Sequence, residues 1–285
     1  MPLQYDAATT PSETVMSGNG NAMWKKCLTA TGMFFLAATS GFAQNSELAQ
    51  KLTNPVAAMI SVPFQWNYNQ GYGTSNGSNL TLNVQPVIPF ALNPDWNIIS
   101  RTILPVTWQD DIIGNSGTQF GLGDTTQSLF ASPNAPGPGG IIWGAGPVFL
   151  VPTGTDELLS TRKWGAGPTG VVLRQQGPWT YGALVNHIWS FAGDDNRSDV
   201  NSTFLQPFLT YTTKDAWTFA LNTETSYDWN SNQWSVPINA SVSKLVTFGK
   251  QPVSFQLGAR YWATAPDNGP EGLGARASVT FLFPK

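Results

Sequence analysis

The 285-residue chain has one cysteine, Cys27, and one histidine, His187. A single histidine excludes metal centres built on several imidazoles. A single cysteine excludes an internal disulfide. Charge is also scarce: 11% of residues carry it, and the net charge is -3. A disordered chain needs more charge and fewer aromatics, and a nucleic-acid binder is usually basic. No apolar run approaches the ~20 residues of a membrane-spanning helix, which excludes a helical multi-span protein. The chain is instead rich in Gly (28), Pro (21), Trp (12) and Phe (16), beside many Asn, Ser, Thr and Gln. Aromatic and hydroxyl residues favour strands; Gly, Pro and Asn favour turns. The composition predicts one all-β domain.

The N-terminus carries a separate signal. Met23-Trp24-Lys25-Lys26 precedes an apolar run from Cys27 to Ala38, then Thr39-Ser40-Gly41-Phe42-Ala43. Positive residues, a short apolar core and a small-residue exit form a secretory signal, with cleavage expected before Gln44. The expected division is 1–22 as a segment upstream of the true start, 23–43 as signal peptide and 44–285 as the exported domain. Cys27 falls in the signal, so the exported chain has neither disulfide nor thiol. Export without disulfides fits the envelope of a Gram-negative bacterium.

Within 44–285 apolar and polar residues alternate with period two, the mark of strands with one greasy and one wet face. Ile60-Ser61-Val62-Pro63-Phe64-Gln65-Trp66-Asn67-Tyr68-Asn69 is the clearest case, and the segment ending at Phe283 the last. Twelve strands are expected, near 60–69, 80–88, 96–108, 119–131, 141–151, 163–174, 179–191, 200–211, 217–224, 234–242, 253–261 and 273–283. About ten residues each is the length that crosses a bilayer when tilted. Long and short connections alternate, as in a transmembrane barrel. An antiparallel transmembrane β-barrel of about 12 strands is therefore the predicted fold, with both termini in the periplasm.

Tryptophan placement bears on the same question. Trp96, Trp143, Trp179 and Trp217 fall at strand ends on the short-turn side. Trp66, Trp108, Trp164, Trp189, Trp229, Trp234 and Trp262 fall at strand ends on the long-loop side. Two aromatic levels are expected of a barrel with an interfacial girdle at each membrane surface. A soluble sandwich would bury many of its tryptophans in mid-strand. Ten acids lie in the long connections: Asp110, Asp111, Asp156, Glu157, Asp194, Asp195, Asp199, Asp228, Asp267 and Glu271. Facing outward, they could share divalent cations with lipopolysaccharide. Lipid and the barrel-assembly machinery are the other expected partners, and no nucleic acid is.

Several stretches look like those of a known family. They are Asn54-Pro55-Val56 leading to Ile60-Ser61-Val62-Pro63-Phe64-Gln65; Leu82 to Pro89; Trp96 to Pro105; Phe120-Gly121-Leu122-Gly123-Asp124; Trp164-Gly165-Ala166-Gly167-Pro168; and Phe281-Leu282-Phe283-Pro284-Lys285. They resemble the outer-membrane barrels of the "meta-pathway of phenol degradation" family, some of whose members carry the label neuromedin U or transporter. The resemblance implies uptake of aromatic or other small molecules, and it carries no substrate residues.

On the wet face lie Gln65, Asn67, Asn83, Gln85, Asn222, Glu224, Gln256, Arg260 and Arg276, with Arg101 a further candidate. Such a lumen suits small polar or amphipathic solutes. The same charged residues could instead form an ion network that plugs a narrow barrel. The expected function is a channel or uptake protein acting by passive diffusion, without cofactor or metal and without catalysis. The rivals are a non-conducting structural barrel, an interfacial hydrolase built on His187, and a secreted soluble β-protein. Gly73-Thr74-Ser75-Asn76-Gly77 matches a nucleophile-elbow pattern but lacks its strand-turn-helix setting. Asp194-Asp195-Asn196-Arg197-Ser198-Asp199 lacks the Gly and Glu of a calcium loop. Eight prolines fall inside the expected strands, and a closed barrel has no edge strand to hold them.

Overall fold

The computed structural model describes residues 43–284. The expected upstream segment and, but for Ala43, the expected signal peptide lie outside those residues. Fifteen strands make one antiparallel sheet. They are β1 (Ile60–Tyr72), β2 (Gly77–Val84), β3 (Val87–Ala91), β4 (Trp96–Asp110), β5 (Thr118–Leu122), β6 (Thr125–Pro133), β7 (Ile141–Val151), β8 (Lys163–Gln176), β9 (Trp179–Gly193), β10 (Asn201–Thr212), β11 (Trp217–Thr223), β12 (Thr225–Asp228), β13 (Gln233–Phe248), β14 (Gln251–Thr264) and β15 (Gly272–Phe283). Three pairs are single staves with a brief interruption: β2 with β3, β5 with β6, β11 with β12. Fifteen less three leaves twelve staves. The last pairs the first, Ile60 opposite Phe283 through Tyr68 opposite Ala275, and the sheet closes into a barrel.

The prolines explain the interruptions. Pro86 separates β2 from β3. Pro105 on β4 faces the gap between β5 and β6, where its carbonyl accepts from Gly123 N–H. Pro207 on β10 lies opposite the gap between β11 and β12, since Leu205 pairs Thr225 and Phe208 pairs Asn222 with nothing bridged between. At Pro237 the β13–β14 register shifts. A proline has no N–H for the ladder, so Pro86 sits in the break of its own stave and the other three where the neighbouring stave breaks or slips.

The two Gly-Ala-Gly-Pro repeats lie on adjacent staves, with Pro147 directly opposite Pro168. The ladders outside this pair both lapse. The β6–β7 pairing skips from Ser128–Val148 to Ala131–Ala145, and β8–β9 skips from Ala166–Trp189 to Thr169–Asn186. Gly146 and Gly167 take the closest approach there. A Cβ on either would lie 2.0 Å from the Leu129 carbonyl oxygen or 1.8 Å from that of His187.

The outer face is apolar, with Leu80, Phe219, Leu221, Leu257, Tyr261 and Leu273 all exposed. A water-facing surface avoids contiguous apolar area of this extent. The residues between Ala43 and Met59, expected to belong to the barrel domain, are not wall. Residues 43–52 form a helix, α1. Ala, Gln, Glu, Leu and Lys favour helix, and Glu47 pairs with Lys51 one turn on, at 2.7 Å. Pro55 cannot continue it. Thr53 Oγ1 donates back to the Gln50 carbonyl, and Asn54 Oδ1 accepts from Val56 N–H.

Candidate functional site

The barrel interior is closed at its short-turn end by α1 and the segment behind it. Leu48, Ala49 and Met59 are buried against Ala216, Leu245 and Leu282, which all lie at that end. Gln50 Nε2 donates to the Gly177 carbonyl, and Gln175 Nε2 donates to the Gln50 carbonyl. Asn45 Oδ1 accepts from the Thr247 hydroxyl. Val56 reaches across to Ile99, Phe130, Val171, Leu173 and Leu184. Period-two reasoning could not find this plug, because it has no strand period. The helical run Glu47 to Leu52 beside a Pro55 stop was the available signal.

The wall facing the interior has two characters. Through β6, β8 and β9 it carries an apolar patch, with Phe130, Val171, Leu173 and Leu184 buried among polar neighbours such as Ser128, Thr169 and Thr180. Through β11, β13, β14, β15, β1 and β2 it is polar. There Glu224 is the hub. Arg276 clamps it with two parallel bonds, Nη1 to Oε1 at 2.9 Å and Nη2 to Oε2 at 2.8 Å, and Arg260 Nη2 also donates to Oε2. Arg276 Nε donates to Asn67 Oδ1 at 2.7 Å, and Arg260 Nε to Asn239 Oδ1 at 2.8 Å. Asn239 Nδ2 in turn donates to Asn222 Oδ1 at 2.9 Å. Both guanidiniums are buried, Arg260 at 7% and Arg276 at 6% exposure. Bidentate carboxylate pairing of this kind is strong and directional.

A repeat in the sequence builds this layer. Gly258-Ala259-Arg260 and Gly274-Ala275-Arg276 run antiparallel on β14 and β15, so that Gly258 faces Arg276 and Gly274 faces Arg260. Each arginine has a cross-strand neighbour without a side chain, which leaves room for its guanidinium to turn along the wall. Sequence reading found both arginines but not the glycine pairing.

Arg101 is the third guanidinium. Its Nη2 donates to Gln85 Oε1 at 3.3 Å, and among the described residues no carboxylate lies within salt-bridge distance of it. With Gln65, Gln85, Gln256 and Asn222 it lines a cavity of about 270 Å³ that also touches Leu52, Leu184 and Phe208. Plug and polar wall thus enclose one space. Asn83 faces Gln65 across β1 and β2.

Most of the tryptophans stand outside. Trp143, Trp179 and Trp217 are exposed at the short-turn ends of their staves, and Trp96 packs edge-on against Trp143 at 5.8 Å. At the opposite end Trp108, Trp164, Trp189, Trp229 and Trp234 are exposed. Two differ from expectation. Trp66 stands at the middle of β1, because that strand runs on to Tyr72. Trp262 turns inward: it shares the parity of Arg260, its Nε1 donates to Asn69 Oδ1 at 3.1 Å, and the Arg260 guanidinium lies 5.5 Å from its ring centre.

His187 packs on Trp189 at 3.9 Å, and its Nδ1 lies 2.7 Å from the Thr203 hydroxyl, which also accepts from Trp229 Nε1. The Gly73–Gly77 pattern lies at the β1–β2 turn. Several loop carboxylates cap their own turns. Asp111 accepts from Gly117 N–H, Asp156 from Leu158 N–H, Asp194 from Asn196 N–H and Asp228 from Asn230 N–H. Asp199 pairs with buried Lys163 at 3.0 Å. The Lys163 ammonium beside it, with the Ser190 hydroxyl, holds the Asp199 carboxyl below its usual range.

No family model and no curated protein matches the chain. Among solved structures it is similar to an outer membrane channel of the COG4313 type from Pseudomonas putida F1, at 14% identity and a TM-score of 0.63 over 79% of this chain and 96% of that one. It is more loosely similar to outer membrane phospholipase A from Escherichia coli, at 11% identity and a TM-score of 0.46 over 78% of this chain and 92% of that one.

Proposed function

We propose that this closed twelve-stave barrel resides in the bacterial outer membrane and is a channel for small solutes. The outer face supports the location: an apolar surface bounded by exposed indoles at both ends matches a bilayer. The observation that carries the channel reading is the cavity between α1 and the Arg101 wall. A purely structural barrel of this size would fill its interior, as eight-stranded barrels do. Here polar groups surround open space. The family resemblance of the strand motifs and the fold shared with an outer membrane channel agree with this reading.

Transport is passive, and its gate is the plug. α1 meets the wall through a small apolar cluster and a few side-chain hydrogen bonds, whereas the Glu224 network is fixed by charge. Solutes therefore pass when α1 moves, not when the guanidinium layer breaks. The loop carboxylates that are not engaged in their own turns face the lipopolysaccharide side and bind it through divalent cations.

Planar-bilayer conductance tests the reading. The intact protein gives low, intermittent conductance, and a variant lacking residues 44–56 gives a larger and steadier one. Absence of conductance and of solute flux in both would leave a structural barrel.

A further inference from the structure

The cavity beneath the guanidinium layer combines features that a mere passage does not need. Three arginines, Arg101, Arg260 and Arg276, face one carboxylate, Glu224, so the layer carries an excess of 3 − 1 = 2 positive charges. Glu224 is already committed to Arg260 and Arg276. Arg101 is left with one long bond to a neutral amide. A guanidinium away from bulk water without a close anion is costly, and its planar fork matches a carboxylate bidentately. The same cavity is also lined by Leu184 on β9 and Phe208 on β10, which offer no hydrogen bonds. The volume of about 270 Å³ falls just under the roughly 300–1,000 Å³ typical of pockets for drug-sized ligands.

We infer that this cavity is a binding site for a small organic anion. Its carboxylate is held by Arg101 and Gln85, and its apolar body lies against Leu184 and Phe208. This deepens the channel reading by naming the solute class, and the site would stand as a binding pocket even without conduction. A neutral solute gains at most a hydrogen bond from Arg101, without the charge pairing. An inorganic anion gains nothing from the apolar wall. Only a molecule with both parts uses both.

Calorimetric titration of the folded, detergent-solubilised protein tests this without any flux measurement. The probes are sodium benzoate, benzyl alcohol and sodium acetate. Benzoate binds at one site, and the other two bind at least about tenfold more weakly, since a hydrogen-bonded charge contributes at that level. Arg101→Gln lowers benzoate affinity by at least about tenfold while the unboiled protein keeps its folded gel mobility. Should Arg101→Gln fail to fold, Phe208→Ala serves instead: it weakens benzoate several-fold and leaves acetate unchanged. No benzoate binding by the wild type, equal binding of benzoate and benzyl alcohol, or full benzoate affinity in Arg101→Gln would overturn the assignment. Conductance without benzoate binding would retain the channel and remove this site. Benzoate binding without conductance would do the reverse.

Discussion

The hydroxyls of Thr53 and Thr180 lie 2.9 Å apart, one just past α1 and the other on the barrel wall at the short-turn end. Their side chains point at one another, which makes the pair the place to try a disulfide between α1 and the wall. With Cys27 the sole cysteine, a Thr53→Cys, Thr180→Cys variant that also carries Cys27→Ser can form one bond only. Oxidised, it should stay at the low conductance level in planar bilayers, and added reductant should restore the wild-type openings. Equal conductance in both redox states would show that α1 does not gate the lumen.

Removing the hub of the charge layer should cost stability and change selectivity separately. Glu224→Ala strips Arg260 and Arg276 of their shared anion. Breaking a buried pair from one side costs about 3–5 kcal/mol, and a lower urea midpoint for the folded gel band checks this. Glu224→Gln keeps an acceptor but raises the excess positive charge of the layer. Its reversal potential in a salt gradient should shift toward anions, whereas Arg101→Gln should shift it the other way.

The wall was legible in the sequence because period two survives one-sided contact with lipid as well as it survives a packed core. The twelve expected strands match twelve observed staves, and where the ends differ, most strands run longer, as in β1 and β13. The interior was less legible. Gln65, Gln85 and Arg101 could be assigned to the wet face, but alternation does not reveal how wide a lumen is or what fills it. Nor does it reveal the apolar patch behind Val56, since Leu173 and Leu184 face the plug while Val172 and Val185 face outward, apolar on both sides. Trp262 was misplaced because strand-end position was weighed above parity. Pro105 and Pro207 looked anomalous on one strand at a time, and make sense only beside the break in the neighbouring stave.

The long-loop end should respond to acid late. Asp199 accepts from Lys163 and from Ser190, and its folded pKa lies below the ordinary carboxylate value. A lowered folded pKa means that the anchoring is fully present above the unfolded value and is lost as pH falls through the folded one. Amide exchange over residues 194–200, corrected for intrinsic rate, should therefore stay slow down to the usual Asp range and rise only below it. Asp199→Asn should exchange fast at every pH. If the wild type loosens above that range, the Lys163 pair is not what holds the loop.

A final expectation concerns the lapsed ladders beside Pro147 and Pro168. Gly167 sits where a Cβ would come within 1.8 Å of the His187 carbonyl oxygen, so an alanine there must push β8 and β9 further apart. Gly170, three residues along the same strand, would place its Cβ 3.8 Å from the nearest heavy atom, the Gly144 carbonyl oxygen. Overpacking at a rigid backbone contact costs about 1–3 kcal/mol. Gly167→Ala should lower the urea midpoint of the folded band accordingly, and Gly170→Ala should leave it unchanged or raise it slightly, since alanine restricts the unfolded chain. Equal midpoints for the two variants would mean that β8 and β9 already have slack at the proline pair, and that the missing bonds there are a loose seam rather than a tight approach.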